Sequence, residues 1–116
     1  MRLLLDSHVV LWWLEDNAAL GLECRRSIED AAGVFVSAVT PWELGIKRAL
    51  GKLSMPEGLI DAVEASGFEL VSISSDHAET AAALPLHHRD PFDRMLVAQA
   101  QLESLVLVTA DSPLSS

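Results

Sequence analysis

"LLLDSHVVLWWL", residues 3–14, decides the fold class. Three leucines without a polar interruption are too brief for a helix and suit a short strand buried on both faces. The run stops at Asp6. From there Asp6 or Ser7 can offer a side-chain oxygen to the free amides of a helix whose apolar body runs from His8 to Leu14. A strand that passes through a single polar corner into a helix is the first half of a βα unit, and such units build parallel sheets with helices packed on them.

The remainder of the chain repeats that grammar. A second helix is expected over 20–32, with Leu22, Ile28 and Ala32 sharing its apolar face and Gly33 as its C-terminal stop. Val34, Phe35 and Val36 make the next strand. In "TPWELGIKRALG" Thr40 is placed to cap a helix, Pro41 takes the first helical position and Gly51 lies just beyond the end. An amphipathic helix over 56–66, a strand over 68–73 and a short helix over 76–83, ended by Pro85, come next. The stretch 91–102 carries apolar residues on almost every face and is expected to be a buried helix. A last strand spans 105–108. The four strands are uniformly apolar rather than alternating, which predicts an α/β fold with a central parallel sheet of about four to five strands covered on both faces.

Bulk properties narrow the function. A chain of 116 residues with 50% hydrophobic and 22% charged residues is expected to form a single domain, 1–116, around one core. The one cysteine, Cys24, has no partner for an internal disulfide, which points to a reducing compartment and makes the cytoplasm the expected location. No apolar run approaches the roughly 20 residues needed to span a bilayer, so no membrane partner is expected. The formal net charge of −9 opposes loose binding to nucleic acid, so any nucleic-acid partner must be held locally or through a cation.

Four carboxylates fall at one kind of place. Asp6 ends the first strand, Glu43 sits in the first turn of the helix after the second, Asp93 lies in the first turn of the 91–102 helix, and Asp111 follows the last strand. In an open parallel sheet the carboxyl ends of the strands share an edge, and ligand sites collect there. Each residue has an ordinary explanation: helix-start acids complement the macrodipole, Glu43 can pair with Lys47 one turn on, and Asp111 in "TADSP" can be a turn residue. Convergence is what those explanations leave out, because crowded carboxylates must take up protons or bind a cation. Oxygen-only ligands select hard ions such as Mg²⁺ or Mn²⁺. His87 and His88 are adjacent in a loop without a metal-binding spacing and are read as surface or substrate contacts. Ser7 and Thr109 either hydrogen-bond the carboxylates or serve as helix-cap and strand-end residues. Asp90, one turn before Asp93, either caps the helix, orients Asp93 or Arg94, or reaches a metal through water.

Taken in order, "LLLDSHVVLWWL", "VSAVTPWELGIKRALGKL", "HHRDPFDRMLVAQA" and "LVLVTAD" resemble the PIN-domain ribonucleases, and within them the VapC-like toxins of bacterial toxin–antitoxin pairs. The resemblance covers nearly the whole chain. It implies a PIN-like α/β/α sandwich and an endoribonuclease that hydrolyses RNA at a Mg²⁺ centre, where Mn²⁺ substitutes, formed by Asp6, Glu43, Asp93 and Asp111. Ser7, Asp90, Arg94 and Thr109 would stand around it. It further implies a cognate antitoxin that blocks the cleft, and a homodimer. One departure is that the chain stops soon after Asp111, where the family carries another short strand, so the final strand is expected to be missing. Two alternatives stay open at this point: a catalytically inactive PIN scaffold for protein binding, and a Mg²⁺-binding regulatory domain of receiver type.

Overall fold

The computed structural model describes residues 1–85 and 90–109. In chain order the elements are β1 (Arg2–Leu5), α1 (Ser7–Leu14), a 3₁₀ turn (Ala18–Leu20), α2 (Leu22–Asp30), β2 (Gly33–Ser37), α3 (Val39–Ala49), α4 (Leu59–Ala65), β3 (Glu69–Val71), α5 (Ser75–Ala83), α6 (Pro91–Glu103) and β4 (Val106–Val108). The strands form one parallel sheet in the order β3-β2-β1-β4. β1 is central, with Leu5 in register with Val36 on one side and Val108 on the other. The result is the α/β/α sandwich expected from the sequence.

Because successive strand residues face opposite sides of a sheet, the three leucines of β1 serve two cores. Leu3 and Leu5 join Val9, Val10, Leu44, Val63 and Val108 in one layer, while Leu4 packs with Val39, Leu96, Ala100 and Leu107 in the other. All three leucines are fully buried, and truncating any of them to alanine should cost about 2–5 kcal/mol.

Four local expectations need correction. Helix α3 begins at Val39, two residues earlier than a Thr40 cap would allow, because β2 runs straight to Ser37, whose Oγ accepts the Val39 amide at 3.0 Å. Thr40 is therefore inside the first turn and fully buried, and Glu43, expected in the first turn, falls in the second. On α2 the core contacts come from Cys24 and Ile28, and Leu22 is 63% exposed. Helix α6 is buried only along its middle, through Leu96, Ala98, Gln99 and Ala100, and Leu102 near its end faces solvent. Edge strand β3 is short and largely exposed, so two-sided cover holds for the inner strands and not there.

Candidate active site

The site is built where β1, β2 and β4 end. The Asp6 amide donates to the Val108 carbonyl at 2.9 Å, which carries the β1–β4 pairing one residue past the strand and fixes Asp6 at the carboxyl edge. Asp6 Oδ1 accepts the Val9 amide at 3.0 Å and so caps α1. One oxygen of this carboxylate is thus set by the helix it starts.

Ser7, only 2% exposed, reaches across to α3. Its Oγ donates to Glu43 Oε1 at 2.6 Å and lies 3.2 Å from Thr40 Oγ1. A hydroxyl has one proton; the shorter contact to a carboxylate claims it, which leaves Thr40 as the donor toward Ser7. Glu43 is itself 5% exposed, and its other oxygen, Oε2, accepts from Lys47 Nζ at 2.7 Å. A buried carboxylate is costly unless it is paired and hydrogen-bonded. Here both oxygens are served.

Helix α6 brings the third acid. Its start is held beside α3 by Phe92, whose ring meets Trp42 edge-on with centroids 5.0 Å apart. Asp90 takes the capping position, with Oδ1 accepting the amides of Phe92 at 2.8 Å and Asp93 at 3.1 Å. Pro91 follows in the first turn, where a missing amide costs nothing. Asp93 is thereby relieved of capping. Its carboxyl is pushed up from 3.8 to about 6, first by burial of its inner side and then by the charges of Asp90, Glu43 and Asp6, with Lys47 pulling the other way. Lys47 is raised by its hydrogen bond to Glu43, opposed by burial, with the charges of Glu43, Asp90 and Asp93 adding to the rise.

Asp6 at the start of α1 and Glu43 in the second turn of α3 thus act electrostatically on Asp93 in the first turn of α6. Among the described residues, no three Asp, Glu, His or Cys side chains come together closely enough to hold a metal ion by themselves. Asp111, His87 and His88 lie outside the described residues. Thr109, the expected hydrogen-bonding partner beyond β4, is half-buried at the site's edge. Arg94 points the other way: Nη1 donates to the Pro85 carbonyl, and Nη2 to those of Ala82 and Leu84, at 2.9–3.1 Å, so that its guanidinium closes the C-terminal end of α5.

Sequence reasoning missed two participants. The sequence pattern marks Thr40 as a cap and Lys47 as an ordinary ion-pair partner of Glu43. Their spacing carried the signal, since Thr40, Glu43 and Lys47 at i, i+3 and i+7 occupy one helical stripe, and that stripe faces Ser7. Cys24 adds no nucleophile, because burial, and after it the charge of Asp6, raises its thiol.

The profile of the PIN domain family matches residues 3–116. The chain belongs to the PIN-domain family. Among curated relatives, "Ribonuclease VapC22" of Mycobacterium tuberculosis (strain ATCC 25618 / H37Rv) is 35% identical over 121 residues, covering 97% of this PIN domain and 89% of the relative. Among solved structures, a "Toxin-antitoxin complex from Klebsiella pneumoniae" shares the fold with a TM-score of 0.64 at 22% identity, covering 92% of this chain and 84% of the other. This is a VapC-like PIN domain, and family membership removes the receiver-type alternative. Among the described residues, no helix is long and apolar enough to cross a membrane.

Proposed function

We propose that this PIN domain is a divalent-metal-dependent endoribonuclease and the toxin of a toxin–antitoxin pair. The observation that carries the reading is the crowding at Asp93, where burial and three neighbouring carboxylates hold a proton to about pH 6. The donors are oxygens, which suits Mg²⁺ or Mn²⁺ and disfavours zinc. Asp6, Glu43 and Asp93 would hold the ion, with Asp111 as a fourth acid. Once bound, the ion would supply activation of water and neutralisation of charge at the phosphoryl group.

The chain's own residues would do the rest. Ser7 and Thr40 hold the Glu43 carboxylate in one orientation, so that it is pre-positioned rather than ordered at the moment of reaction. Asp90 fixes the start of α6, and hence the place of Asp93, through two amide bonds. The negative rim would keep RNA from settling at the centre without a cation, which limits loose binding by a chain of net charge −9. The relatives' names, ribonuclease and toxin–antitoxin complex, support an RNA substrate and a protein antitoxin, and the family resemblance supports a homodimer.

The test is cleavage of a structured RNA with Mg²⁺, with Mn²⁺ and with EDTA, by the parent protein and by Asp93→Asn. Cleavage that needs the metal and falls by orders of magnitude in the variant is expected. Equal cleavage by Asp93→Asn would sink the mechanism, and no cleavage by the parent under any metal condition would favour the inactive scaffold. In parallel, millimolar Mn²⁺ should raise the melting temperature of the parent, because the ion binds the folded carboxylates alone.

A further inference from the structure

Resting on the metal-centre reading above, we propose that Lys47 is a built-in counter-ion of the acidic centre, occupying Glu43 in the metal-free protein and competing with a divalent cation for it. The geometry is specific. Glu43 has two oxygens, and both are engaged: Oε1 by the Ser7 hydroxyl at 2.6 Å and Oε2 by the Lys47 ammonium at 2.7 Å. The Ser7 bond is neutral and lies on the buried side between α1 and α3. The Lys47 bond is the charged one, and it covers the oxygen that is not committed to the interior.

An ordinary i,i+4 ion pair on a helix surface joins two solvated side chains and contributes little. This pair differs in that its acid is buried, with a side chain only 6% exposed, while the lysine side chain is 30% exposed. A carboxylate in that position needs a positive partner when no metal is present, since little of it is open to water. Lysine suits an exchangeable role. Its charge is compact, its four-carbon stem can stay packed along α3 while the ammonium swings outward, and it makes no forked, two-point grip on the acid. The carboxylates of Asp90 and Asp93 also act on the same ammonium, so Lys47 offsets the whole group and not Glu43 alone. A divalent ion entering the centre meets a charge already in place, and the two cannot both take full advantage of Glu43.

Competition of this kind has two readouts that do not involve cleavage. At neutral pH, Mn²⁺ binding by calorimetry should tighten about five- to tenfold in Lys47→Met, the size of coupling that one nearby charge exerts on another site. In EDTA the same variant should melt at a lower temperature than the parent, because the acids lose their resident cation. Lys47→Gln, which keeps a donor for Glu43 and removes only the charge, should bind Mn²⁺ more tightly as well. Unchanged affinity in both variants with unchanged metal-free melting would reduce Lys47 to a surface pair and overturn the proposal. Weaker Mn²⁺ binding would overturn it too, by showing that Lys47 holds Glu43 in place for the metal. A parent protein that binds no Mn²⁺ would instead defeat the metal-centre reading, and the competition with it, whatever the variants do.

Discussion

The charge on Asp93 makes the most direct quantitative claim. In the metal-free protein its carboxyl is raised from 3.8 to about 6 by burial and by Asp90, Glu43 and Asp6. Below pH 3.8 the group is protonated in both the folded and the unfolded chain, and the acids do not repel. Between that value and about 6 the folded state keeps the proton while the unfolded state loses it, and above about 6 the folded state carries the full cost of ionisation. Stability is therefore present in acid and lost as pH rises through 6. In a dry site the rise would correspond to about 3 kcal/mol. The outer side of Asp93 is open to solvent, which cuts the cost to roughly 1–2 kcal/mol. The favourable interaction of an ionised acid with the first turn of α6 takes back about 0.3–1 kcal/mol. Asp93→Asn removes the charge and no capping bond, since Asp90 makes those. Urea unfolding in EDTA should thus show the variant equal to the parent near pH 4 and more stable by about 1 kcal/mol near pH 7.5, a melting difference of about 3–6 °C. Added Mn²⁺ should reverse the order by stabilising the parent alone. A difference that is flat across pH, or that favours the parent in EDTA at pH 7.5, would refute the crowding argument.

Four further outcomes are expected. Asp90→Asn should melt within about 2 °C of the parent and keep most RNA cleavage, because asparagine is an equally good cap; loss of cleavage would move Asp90 into the metal centre. Ser7→Ala should lower unfolding free energy by about 1.5–3 kcal/mol in urea titrations, since it strips a donor from a buried carboxylate, and an effect below about 0.5 kcal/mol would count against a pre-positioned Glu43. Arg94→Lys should destabilise by about 1–2 kcal/mol, because an ammonium cannot fork to the three carbonyls that the guanidinium serves; a fully stable variant would show the clamp to be incidental. Gln99 is fully buried between α5 and α6, and its Oε1 finds no hydrogen-bond partner among the described residues. Among the described residues its Nε2 makes only long contacts, 3.4 Å to the Ser72 carbonyl and 3.4 Å to His77 Nδ1, so Gln99→Met should be neutral or raise the melting temperature by a few degrees, and a large drop would show that those two contacts outweigh the orphaned oxygen.

The fold was legible because its decisive elements are unambiguous in local pattern. Three leucines ending at Asp6, a second apolar run ending near Ser37 and a third ending near Thr109 define β1, β2 and β4 without help from tertiary context. What was not legible was the detail at the corners. Whether Thr40 caps α3 or lies within it depends on whether β2 ends one residue sooner or later, and the Ser37 hydroxyl that settles this can cap from a strand end that sequence pattern alone leaves open. A different corner decides Leu22. Its spacing suits an apolar face, but α2 starts after a 3₁₀ turn, and the helix is rotated so that Cys24 and Ile28 face the sheet instead.

The acids illustrate the same division of labour. That Asp6 and Asp93 stand at helix starts, and Glu43 within the first two turns of α3, is a local matter legible in strand ends, prolines and caps. That Glu43 is buried, held by Ser7 on one oxygen and by Lys47 on the other, is not local: Ser7 is 36 residues away in sequence, and the contact exists only because parallel neighbours β1 and β2 end side by side and launch α1 and α3 from adjacent corners. A carboxylate at the start of an isolated helix would be solvated, titrate normally and do nothing. Parallel pairing turns two such starts into a buried, oriented group, and the approach of α6 through Trp42 and Phe92 adds the acid that can no longer ionise freely. The chemistry therefore resides less in the acids than in the parallel sheet that aligns their helix starts, which is why disrupting Phe92 or Trp42, neither of them titratable, should loosen the coupling that raises Asp93.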